Sequence, residues 1–439
     1  MMSMPAHTPF LFHHIERLNE ARNESDTAFI DAFLALEAEL RAKVCVELPE
    51  SSRTLLCEAL PAERLAAIVS RMRTDDATDM MILLKEADEA KWLGAIELLD
   101  TELKGAVRQL MDYSEEESGS LMEIEIFAVT AEETVRDSMK RLRKLIDTRA
   151  LHHISSVFLV DSEYHLLALF PLEAVVSVND GLTYADLYDR RVQPVSVHSR
   201  SSVYEAVRLM TRYNLNVLPV INKNGRLLGR ITHDDILDYI QEDATRQMYG
   251  LGQVDPDEAP ESGVVKAGRD RAVWLGINLF NVTLVSAVIG LFEHSLQQVV
   301  ALAVLMPIVA NMAGAASMQT LTVVVRQLAL GGIGYKEAAP VVFRELKIAL
   351  LNGAIFALLA TLISYARFSS WYLGGVMAAA MFVSFVAGGV LSAYVPLGLK
   401  RLRIDPAVAS SVIVITLVDV IGFFSFLWFA TLWIPEINP

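Results

Sequence analysis

The sequence predicts a multidomain protein of the α and α+β classes that ends in an α-helical membrane domain. Three observations predict it: an acidic first part beside a weakly basic second part, five long apolar segments confined to the second part, and a repeated β-rich pattern in the middle. The net charge of −15 and the mean hydropathy of +0.36 therefore average two unlike halves. We expect a soluble half joined to a membrane half.

The distribution of charge indicates which kinds of ligand the chain can bind. Residues 266–439 carry 11 Lys and Arg against 7 Asp and Glu, so the acidic excess lies before them. A surface of that sign argues against nucleic acid as a partner and is compatible with the binding of cations. For most individual carboxylates, a solvated acidic surface that only aids solubility is the alternative interpretation.

The first part of the chain predicts a small helical domain. From Phe29 to Leu110, apolar residues recur at three- and four-residue spacing with few β-branched runs. Leu48-Pro49 and Leu60-Pro61 lie twelve residues apart, as expected of proline at the start of successive short helices. The sequence contains no phosphate loop, nucleophile elbow or HExxH motif, so we expect no enzyme.

The compartment is predicted from the cysteines and from the start of the chain. Cys45 and Cys57 are the only cysteines, and no CxxC or Cys/His cluster accompanies them, which predicts buried thiols in a reducing compartment. The first twenty residues lack a basic start followed by a long apolar run, so we expect no cleaved signal peptide. The acidic half should stay cytoplasmic.

The middle of the chain alternates short β-rich runs with amphipathic helices and repeats itself. Runs at 127–129, 156–160 and 166–170 return in the same order in VSVHSRSSVYEAVRLMTRYNLNVLPVINKNGRLLGRITHDDILDYI. Asp161 and Asn222, about sixty residues apart, open the corresponding turns. Two copies of a βαββα unit resemble a tandem CBS pair.

The second copy also resembles the adenine-nucleotide pattern of CBS domains. Its Gly-x-Ile-Thr-x-x-Asp run spans Gly229 to Asp235, whereas the first copy has ALFPLEA at the equivalent place. The resemblance implies that Thr232 and Asp235 contact the phosphate and ribose of ATP or another adenine nucleotide. The alternative is that these two residues only cap the following helix.

Beyond the repeats, a helix ending near Gly250 and the polar stretch DPDEAPESG lead into the membrane half. Each apolar segment there is long enough to cross a bilayer, which takes about 20 residues. The five predicted membrane helices are Ala272 to Phe292, Val299 to Val325, Ile348 to Ala366, Trp371 to Leu399 and Ala407 to Ile434.

Basic residues predict the orientation of these helices. Lys and Arg precede the first helix and fill the second and fourth loops, whereas the first and third loops and the C-terminus contribute only Arg367. The positive-inside rule then places the acidic half in the cytoplasm. We expect a multi-pass protein of the plasma (inner) membrane, with a cytoplasmic N-terminus and with Pro439 outside.

Asp419 is the single charge in the last apolar segment. A carboxylate near the middle of a bilayer costs at least a few kcal/mol, so it should face a water-filled cavity, a cation or a partner helix. The alternative is a hydrogen bond that holds two helices together.

The second apolar segment supplies features that suit an ion path beside Asp419. It combines Pro307 with a run of small residues, Ala313 to Ser317, and with Gln319. Small residues let helices approach closely, and proline can free a backbone carbonyl to face a pore. One carboxylate with backbone oxygens suits a hard divalent cation, and Mg²⁺ often binds through one or two carboxylates while keeping several waters.

Six stretches together make the chain similar to the MgtE family of magnesium channels over nearly its full length. They are YSEEESGSLM, LPVINKNGRLLGRIT, IGLFE, MPIVANMAGAASMQTLTVVVRQLALG, RELKIALLNG and IDPAVASSVIVITLVDVIGFF. The resemblance implies a homodimer in the lipid bilayer, with the pore between the protomers and hydrated Mg²⁺ at Asp419. The pore wall would include Ala315, Ala316, Ser317 and Gln319.

The same resemblance implies a division of the chain and a gate. The helical N-domain would span 1–118, the CBS pair 119–245 (119–184 and 185–245), the connecting helix and linker 246–271, and the membrane domain 272–439. Divalent cations bound between acidic surfaces would hold the pore shut, because bare surfaces of like charge repel each other. The residues implied in this binding are Glu115, Glu116, Glu117, Asp234, Asp235, Asp238, Glu242, Asp243 and Asp405, and for each the alternative is a solvated carboxylate.

Two departures from the family pattern leave alternatives open. Ala315 stands where the family has asparagine, so transport of another divalent cation, Co²⁺ or Mn²⁺, is an alternative to Mg²⁺. The family's acidic EATED is Asp243-Ala244-Thr245-Arg246-Gln247 here, which predicts weaker or altered gating by magnesium. A CBS-type membrane sensor that conducts no ion is the third possibility.

Overall fold

Two units make up the chain, residues 1–239 and residues 240–439. The structure is a computed structural model and describes residues 8–147, 151, 154–254, 264–329, 338–402, 406–435 and 437. Predictions for Asp405, Pro439 and the stretch 255–263 lie outside these residues. The two units are described in turn.

The first unit opens with eight helices. They are α1 (Thr8–Glu24), α2 (Asp26–Leu34), α3 (Ala38–Glu47), α4 (Glu50–Ala59), α5 (Ala62–Val69), α6 (Thr74–Ala87), α7 (Glu89–Leu98) and α8 (Thr101–Leu110). Pro49 and Pro61 immediately precede α4 and α5, where a residue without a backbone N–H sacrifices no helical hydrogen bond. The predicted short helices are therefore confirmed.

One hydrophobic core joins these helices. Phe29, Phe33, Leu56 and Leu65 are completely buried in it. The thiols of Cys45 and Cys57 are also buried there, as predicted, and neither forms a disulfide.

Two three-stranded sheets follow, and they share one topology. The first contains β1 (Ala128–Val129), β2 (Ser156–Val160) and β3 (Leu166–Pro171), and the second contains β4 (Val197–His198), β5 (Val217–Ile221) and β6 (Leu227–Thr232). In each sheet the first strand pairs parallel with the second, and the second pairs antiparallel with the third. This confirms the internal repeat.

Helices complete each repeat. The parallel crossovers are α9 (Val135–Asp147) and α11 (Val203–Tyr213), and the sheets are followed by α10 (Leu172–Val176) and α12 (His233–Leu251). Parallel neighbours need such a crossover, because a tight hairpin cannot join them.

The turns between the antiparallel strands are built alike in both repeats. Asp161 Oδ1 accepts hydrogen bonds from the backbone N–H groups of Glu163 and His165. Asn222 Oδ1 accepts the equivalent bonds from Asn224 and Arg226. Side-chain oxygens of Asp and Asn favour such turns because they take the place of a backbone acceptor.

The second unit contains long apolar helices. Its elements after α12 are α13 (Val264–Gly290), α14 (Glu293–Gln298), α15 (Ala301–Ala329), α16 (Ala338–Phe368), α17 (Trp371–Arg401) and α18 (Pro406–Trp433). Five of these helices, all except the short α14, are long and apolar enough to cross a membrane. The five predicted membrane segments are confirmed.

The third membrane helix begins earlier than predicted. The sequence pattern placed its start at Ile348, whereas α16 starts at Ala338. The first turns carry Arg344, Glu345 and Lys347, and these charges interrupt the apolar run without ending the helix. Arg344 is exposed and can extend toward the interface, whereas Glu345 is buried and accepts a hydrogen bond from Thr320, so these charges do not exclude helix there.

Helix α17 is the most enclosed of the membrane helices, with 56% of its apolar window buried. Gly389 makes this packing feasible on one side, because a Cβ at this position would lie 2.5 Å from the Ala349 Cβ of α16. Small residues permit such close approach of helix backbones.

Candidate functional site

Asp419 lies half-way along α18 and is half-buried. Val414 and Val418 on one side of the helix are fully buried and pack with Ala313 and Leu321 of α15. Among the described residues, Asp419 makes no hydrogen bond or ion pair. Its carboxylate therefore keeps its full capacity for an external ligand, which the alternative of a helix-packing hydrogen bond would have consumed.

Helix α15 leaves one polar face uncovered in the single chain. Asn311, Ala315, Gln319 and Thr322 are exposed and recur at spacings of three or four residues, so they share one side of the helix. Ser317, by contrast, is fully buried and donates a hydrogen bond to the backbone carbonyl of Ala313 at 2.8 Å.

The four residues predicted to form the pore wall thus lie in different environments. Ala315 and Gln319 lie on the uncovered face, Ala316 is half-buried, and Ser317 is sequestered in the packing. Pro307 lies inside α15, where it removes one backbone hydrogen bond and leaves a carbonyl one turn earlier without its usual donor. The structure offers Gln319 and backbone oxygens, but not Ser317, to an ion on this face.

A second group of carboxylates lies in the first unit. Asp75 at the start of α6, Glu123 in the segment before β1 and Asp235 in the first turn of α12 bring one carboxylate oxygen each within 4.8 Å of one another. Glu123 is buried, and the other two are partly buried. Three carboxylates at this spacing form a candidate site for a divalent cation.

Burial changes the acidity of this carboxylate group, which we call the acidic triad. Desolvation, with the nearby Asp76 carboxylate, raises the pKa of Asp75 to about 8. Burial likewise raises the pKa of Glu123 and the pKa of Asp235. A bound cation would favour the charged forms, so proton and cation would compete for the same oxygens.

Two arginines partly compensate the acidic triad. Arg73 Nη1 lies 2.6 Å from Glu123 Oε1, and Arg230 Nη2 lies 2.7 Å from Glu123 Oε2. The backbones of Glu123 and Arg230 also pair, with both N–H to O distances at 2.8 Å. Gly229 is required beside them, because a Cβ there would overlap the backbone oxygen of Glu123.

Sequence reasoning found Asp235 but missed Asp75 and Glu123. Nothing in the local sequence distinguishes these two from other acids. A usable signal was present in RITHDD, where a buried strand carries Arg230 and therefore needs a buried partner of opposite charge.

Thr232 and Asp235 adopt the capping arrangement named as the alternative to nucleotide binding. Thr232 N donates to Asp235 Oδ2 at 3.1 Å, and the Thr232 hydroxyl also donates to this oxygen. Thr232 itself is buried. The pair therefore caps α12 and directs one Asp235 oxygen away from any ligand.

The other predicted regulatory residues are dispersed. Glu115, Glu116, Asp234, Asp238 and Glu242 are exposed. Glu117 accepts hydrogen bonds from Arg200 Nη1 at 3.0 Å and from the backbone N–H of Ser114 at 3.1 Å.

Asp243 lies further along α12, where its carboxylate accepts a hydrogen bond from Gln247. The Gln247 Oε1 in turn accepts a hydrogen bond from Arg326 near the end of α15. Leu251, one turn later in α12, packs against the buried cluster that contains Val325 and Val418.

Comparison with known proteins covers all three parts of the chain. Residues 306–429 match the family described as divalent cation transporter (MgtE), residues 13–116 match the MgtE intracellular N domain, and residues 186–242 match the CBS domain. The chain is 30% identical over 366 residues to the magnesium transporter MgtE of Thermus thermophilus, covering 83% of this chain and 80% of that protein.

Two further relatives complete the comparison. The magnesium transporter MgtE of Bacillus subtilis is 25% identical over 391 residues, which is 89% of this chain and 85% of that protein. The crystal structure of the cytosolic domain of the Mg²⁺ channel MgtE in complex with ATP is 27% identical, covers 52% of this chain and 90% of that chain, and superposes with a TM-score of 0.47.

Proposed function

Because the chain belongs to the MgtE family of divalent cation transporters, we propose that it conducts Mg²⁺ through a membrane pore gated by cytosolic Mg²⁺. The observation that carries this proposal is Asp419, a half-buried carboxylate without a protein partner among the described residues, half-way along a membrane helix. Such a group is too costly to be retained without a ligand or a function. A hydrated Mg²⁺ ion meets its charge and can keep its waters.

The pore of this proposal lies between two copies of the chain. The uncovered polar face of α15, with Asn311 and Gln319, and the half-exposed Asp419 would otherwise face hydrocarbon, where unpaired polar groups are unfavourable. A homodimer buries both against a shared water-filled path. The basic residues beside α13, α15 and α17 support an orientation with the first unit in the cytoplasm and the C-terminus outside, and we propose the plasma (inner) membrane as the location.

The gate of this proposal senses cytosolic cations at the acidic triad. A divalent cation bound by Asp75, Glu123 and Asp235 would connect α6 of the helical domain to the first turn of α12. Without the ion, the carboxylates repel each other and loosen that connection. We infer the domain division 1–118, 119–184, 185–245, 246–271 and 272–439, in which α12 leads from the second CBS repeat toward the membrane domain.

The residues predicted to contact a nucleotide, and the predicted regulatory carboxylates outside the acidic triad, are not central to this proposal. Adenine-nucleotide binding at Thr232 and Asp235 stays a prediction, and the capping hydrogen bonds leave only the second carboxylate oxygen of Asp235 for contact with a ribose. Glu115, Glu116, Asp234, Asp238 and Glu242 are exposed and would add to the negative field that attracts cations.

Transport of Mn²⁺ or Co²⁺ is the second candidate function. The observation that favours it is Ala315, which lies on the uncovered face of α15 and carries no ligand atom. A wall without an amide there gives less control over the hydration shell of the ion, and therefore less discrimination between divalent cations.

Flux of Mg²⁺, Mn²⁺ and Co²⁺ into liposomes that contain the full-length protein tests the proposal. We expect Mg²⁺ to outcompete the other ions and D419N to lower the flux at least about tenfold, since losing about 1.4 kcal/mol of cation stabilisation has that effect. D270N removes a charge from the start of α13, where Asp270 pairs with Arg269, and should conduct as the parent does. No Mg²⁺ flux from the folded protein, or equal flux from D419N, would overturn the proposal.

A further inference from the structure

A cavity of about 180 Å³, partly open to the surface, lies between α15, α16 and α17 of the second unit. Its polar lining consists of Gln319, Thr320, Arg344, Glu345 and Asn352, and its other walls are small or apolar residues such as Ala316. Asp419 does not line it. The cavity is therefore distinct from the aspartate that carries the proposed function.

Glu345 is the buried charge of this cavity, with only 3% of the residue exposed. Its Oε2 accepts a hydrogen bond from the Thr320 hydroxyl at 3.3 Å, and its Oε1 lies 3.3 Å from Arg344 Nη1. Both contacts are long, and the Arg344 side chain is 63% exposed. Since an ionised carboxylate offers about four acceptor sites, at least half of its capacity remains open.

The amides of the lining are also unused. Among the described residues, neither Gln319 nor Asn352 makes a side-chain hydrogen bond. Polar groups that line a cavity within a membrane domain usually bind water or a ligand, because they are unfavourable against hydrocarbon without a partner. The cavity thus offers a carboxylate, a hydroxyl and two amide oxygens to one occupant.

This chemistry selects the class of occupant. The lining carries one carboxylate, Glu345, and one guanidinium, Arg344, which is largely exposed and contacts only one of the two carboxylate oxygens. The other Glu345 oxygen, together with the hydroxyl and amide oxygens, suits a hard divalent cation. A water needs about 10 to 15 Å³ of such space, so 180 Å³ accommodates an ion that keeps most of its water shell.

The depth of the cavity fits a site on the route to Asp419. Glu345 is seven residues, or about 10 Å, from the start of α16, and Asn352 is about 21 Å from it. Asp419 is about 20 Å from the start of α18. Measured along the helices, Glu345 lies nearer to the start of its helix than Asp419 does, and Asn352 lies about as far from the start of its helix as Asp419.

We propose that this cavity is a second divalent-cation site, in which Glu345, Thr320, Gln319 and Asn352 hold a partly hydrated ion. The proposal rests on the proposed transport function, because transport supplies the ion. The alternative is that Glu345 only forms a salt bridge with Arg344 and stabilises the helix end. The experiment must distinguish this structural role from cation binding.

Mg²⁺ protection of an introduced cysteine tests the site in the full-length protein. A316C places a thiol on the cavity wall, and V323C places one at its other end. Burial raises the pKa of Cys45 to about 12 and the pKa of Cys57 to about 11, so the native thiols stay unreactive and the parent protein gives the background. We expect Mg²⁺ at ten times its dissociation constant to slow methanethiosulfonate labelling of A316C about tenfold.

The variants separate the ion site from a structural salt bridge. A316C/E345Q should label at the same rate with and without Mg²⁺, whereas A316C/D419N should keep its protection. A316C/E293Q is the matched control, because it neutralises the exposed Glu293 of α14, which does not line the cavity, and it should keep its protection as well. If E345Q fails to fold, N352L removes an amide oxygen at similar volume and should raise the protecting Mg²⁺ concentration several-fold.

Three results would overturn the proposal: equal protection in A316C and A316C/E345Q, labelling that Mg²⁺ never slows, or no labelling of either cysteine without Mg²⁺. Flux measured on the same preparations separates the two proposals. Flux without protection removes only the second site, and protection without flux removes only the transport function.

Discussion

Gln247 of α12 accepts a hydrogen bond from Arg326 of α15, with 3.3 Å between Oε1 and Nη1. The amide nitrogen of the same side chain donates to Asp243, so one glutamine holds two charged groups. The family's acidic pattern would place a carboxylate at position 247. In this chain a neutral residue makes the contact with the basic end of a membrane helix, and α12 is the helix whose first turn carries Asp235.

Replacement of Gln247 should weaken gating and leave conduction intact. Loss of a hydrogen bond of about 1 kcal/mol between α12 and α15 should raise the Mg²⁺ concentration that halves the flux about fivefold in Q247A. The measurement is liposome flux at increasing internal Mg²⁺. T245A is the control, since the Thr245 hydroxyl donates only to the Gln241 carbonyl of its own helix. An unchanged half-inhibiting concentration in Q247A would show that this contact does not transmit the gate.

The acidic triad should make the first unit sensitive to pH in a Mg²⁺-dependent way. The pKa of Asp75 is about 8 in the folded chain, against 3.8 for an ordinary aspartate. The folded state therefore binds the extra proton, and its stability is fully present below pH 4 and is lost as pH rises through about 8. The protection factor of α6, which is the intrinsic exchange rate divided by the observed rate at the same pH, should fall over this range without Mg²⁺, and Mg²⁺ should raise it most at the alkaline end.

Asp75→Asn should reduce this dependence, because the amide neither titrates nor contributes a charged ligand, and Glu123 and Asp235 remain as the titrating groups. The expected result is a protection factor of α6 that changes less between pH 5 and pH 8 than in the parent and responds little to Mg²⁺. An equal Mg²⁺ response in D75N and in the parent would contradict a cation site at the acidic triad.

Glu123 should be costly to neutralise because it is buried between two arginines. Glu123 and Arg230 are 2% and 3% exposed, and removing one partner of a buried pair leaves an uncompensated charge, at a cost of about 3 kcal/mol. E123Q should therefore speed the exchange of β6 more than hundredfold. D180N breaks the exposed pair of Asp180 with Arg136 and should leave exchange unchanged. Exchange of β6 that is as slow in E123Q as in D180N would show that Arg230 needs no buried partner.

Much of the fold could be predicted because its signals are local. Pro49 and Pro61 lie directly before helices, and Asp161 and Asn222 form the turns that their positions indicated. Apolar length alone located the membrane helices, although charges near Arg344 obscured the true start of α16. Each of these features depends on neighbouring residues in sequence.

The sites were harder to predict because their members are distant in sequence. Glu123 and Arg230 are 107 residues apart, and periodicity does not show that they meet. The Glu345 cavity depends on which helices pack together, and that information is absent from the apolar pattern of each helix. Asp419 could be predicted as a candidate because a charge within an apolar segment is visible without any knowledge of its neighbours.

Gly389 should be indispensable for the packing of α17 against α16. A Cβ at this position would lie 2.5 Å from the Ala349 Cβ, and a methyl group cannot rotate away as a longer side chain could. G389A should therefore force the helices apart and destabilise the membrane domain by about 1 to 3 kcal/mol. Gly398 of the same helix has no atom within 4 Å of such a Cβ, so G398A should melt at or slightly above the parent temperature because alanine favours helix. Thermal melting of both purified variants in detergent measures the difference, and a G389A protein as stable as G398A would show that α16 and α17 can separate here without loss.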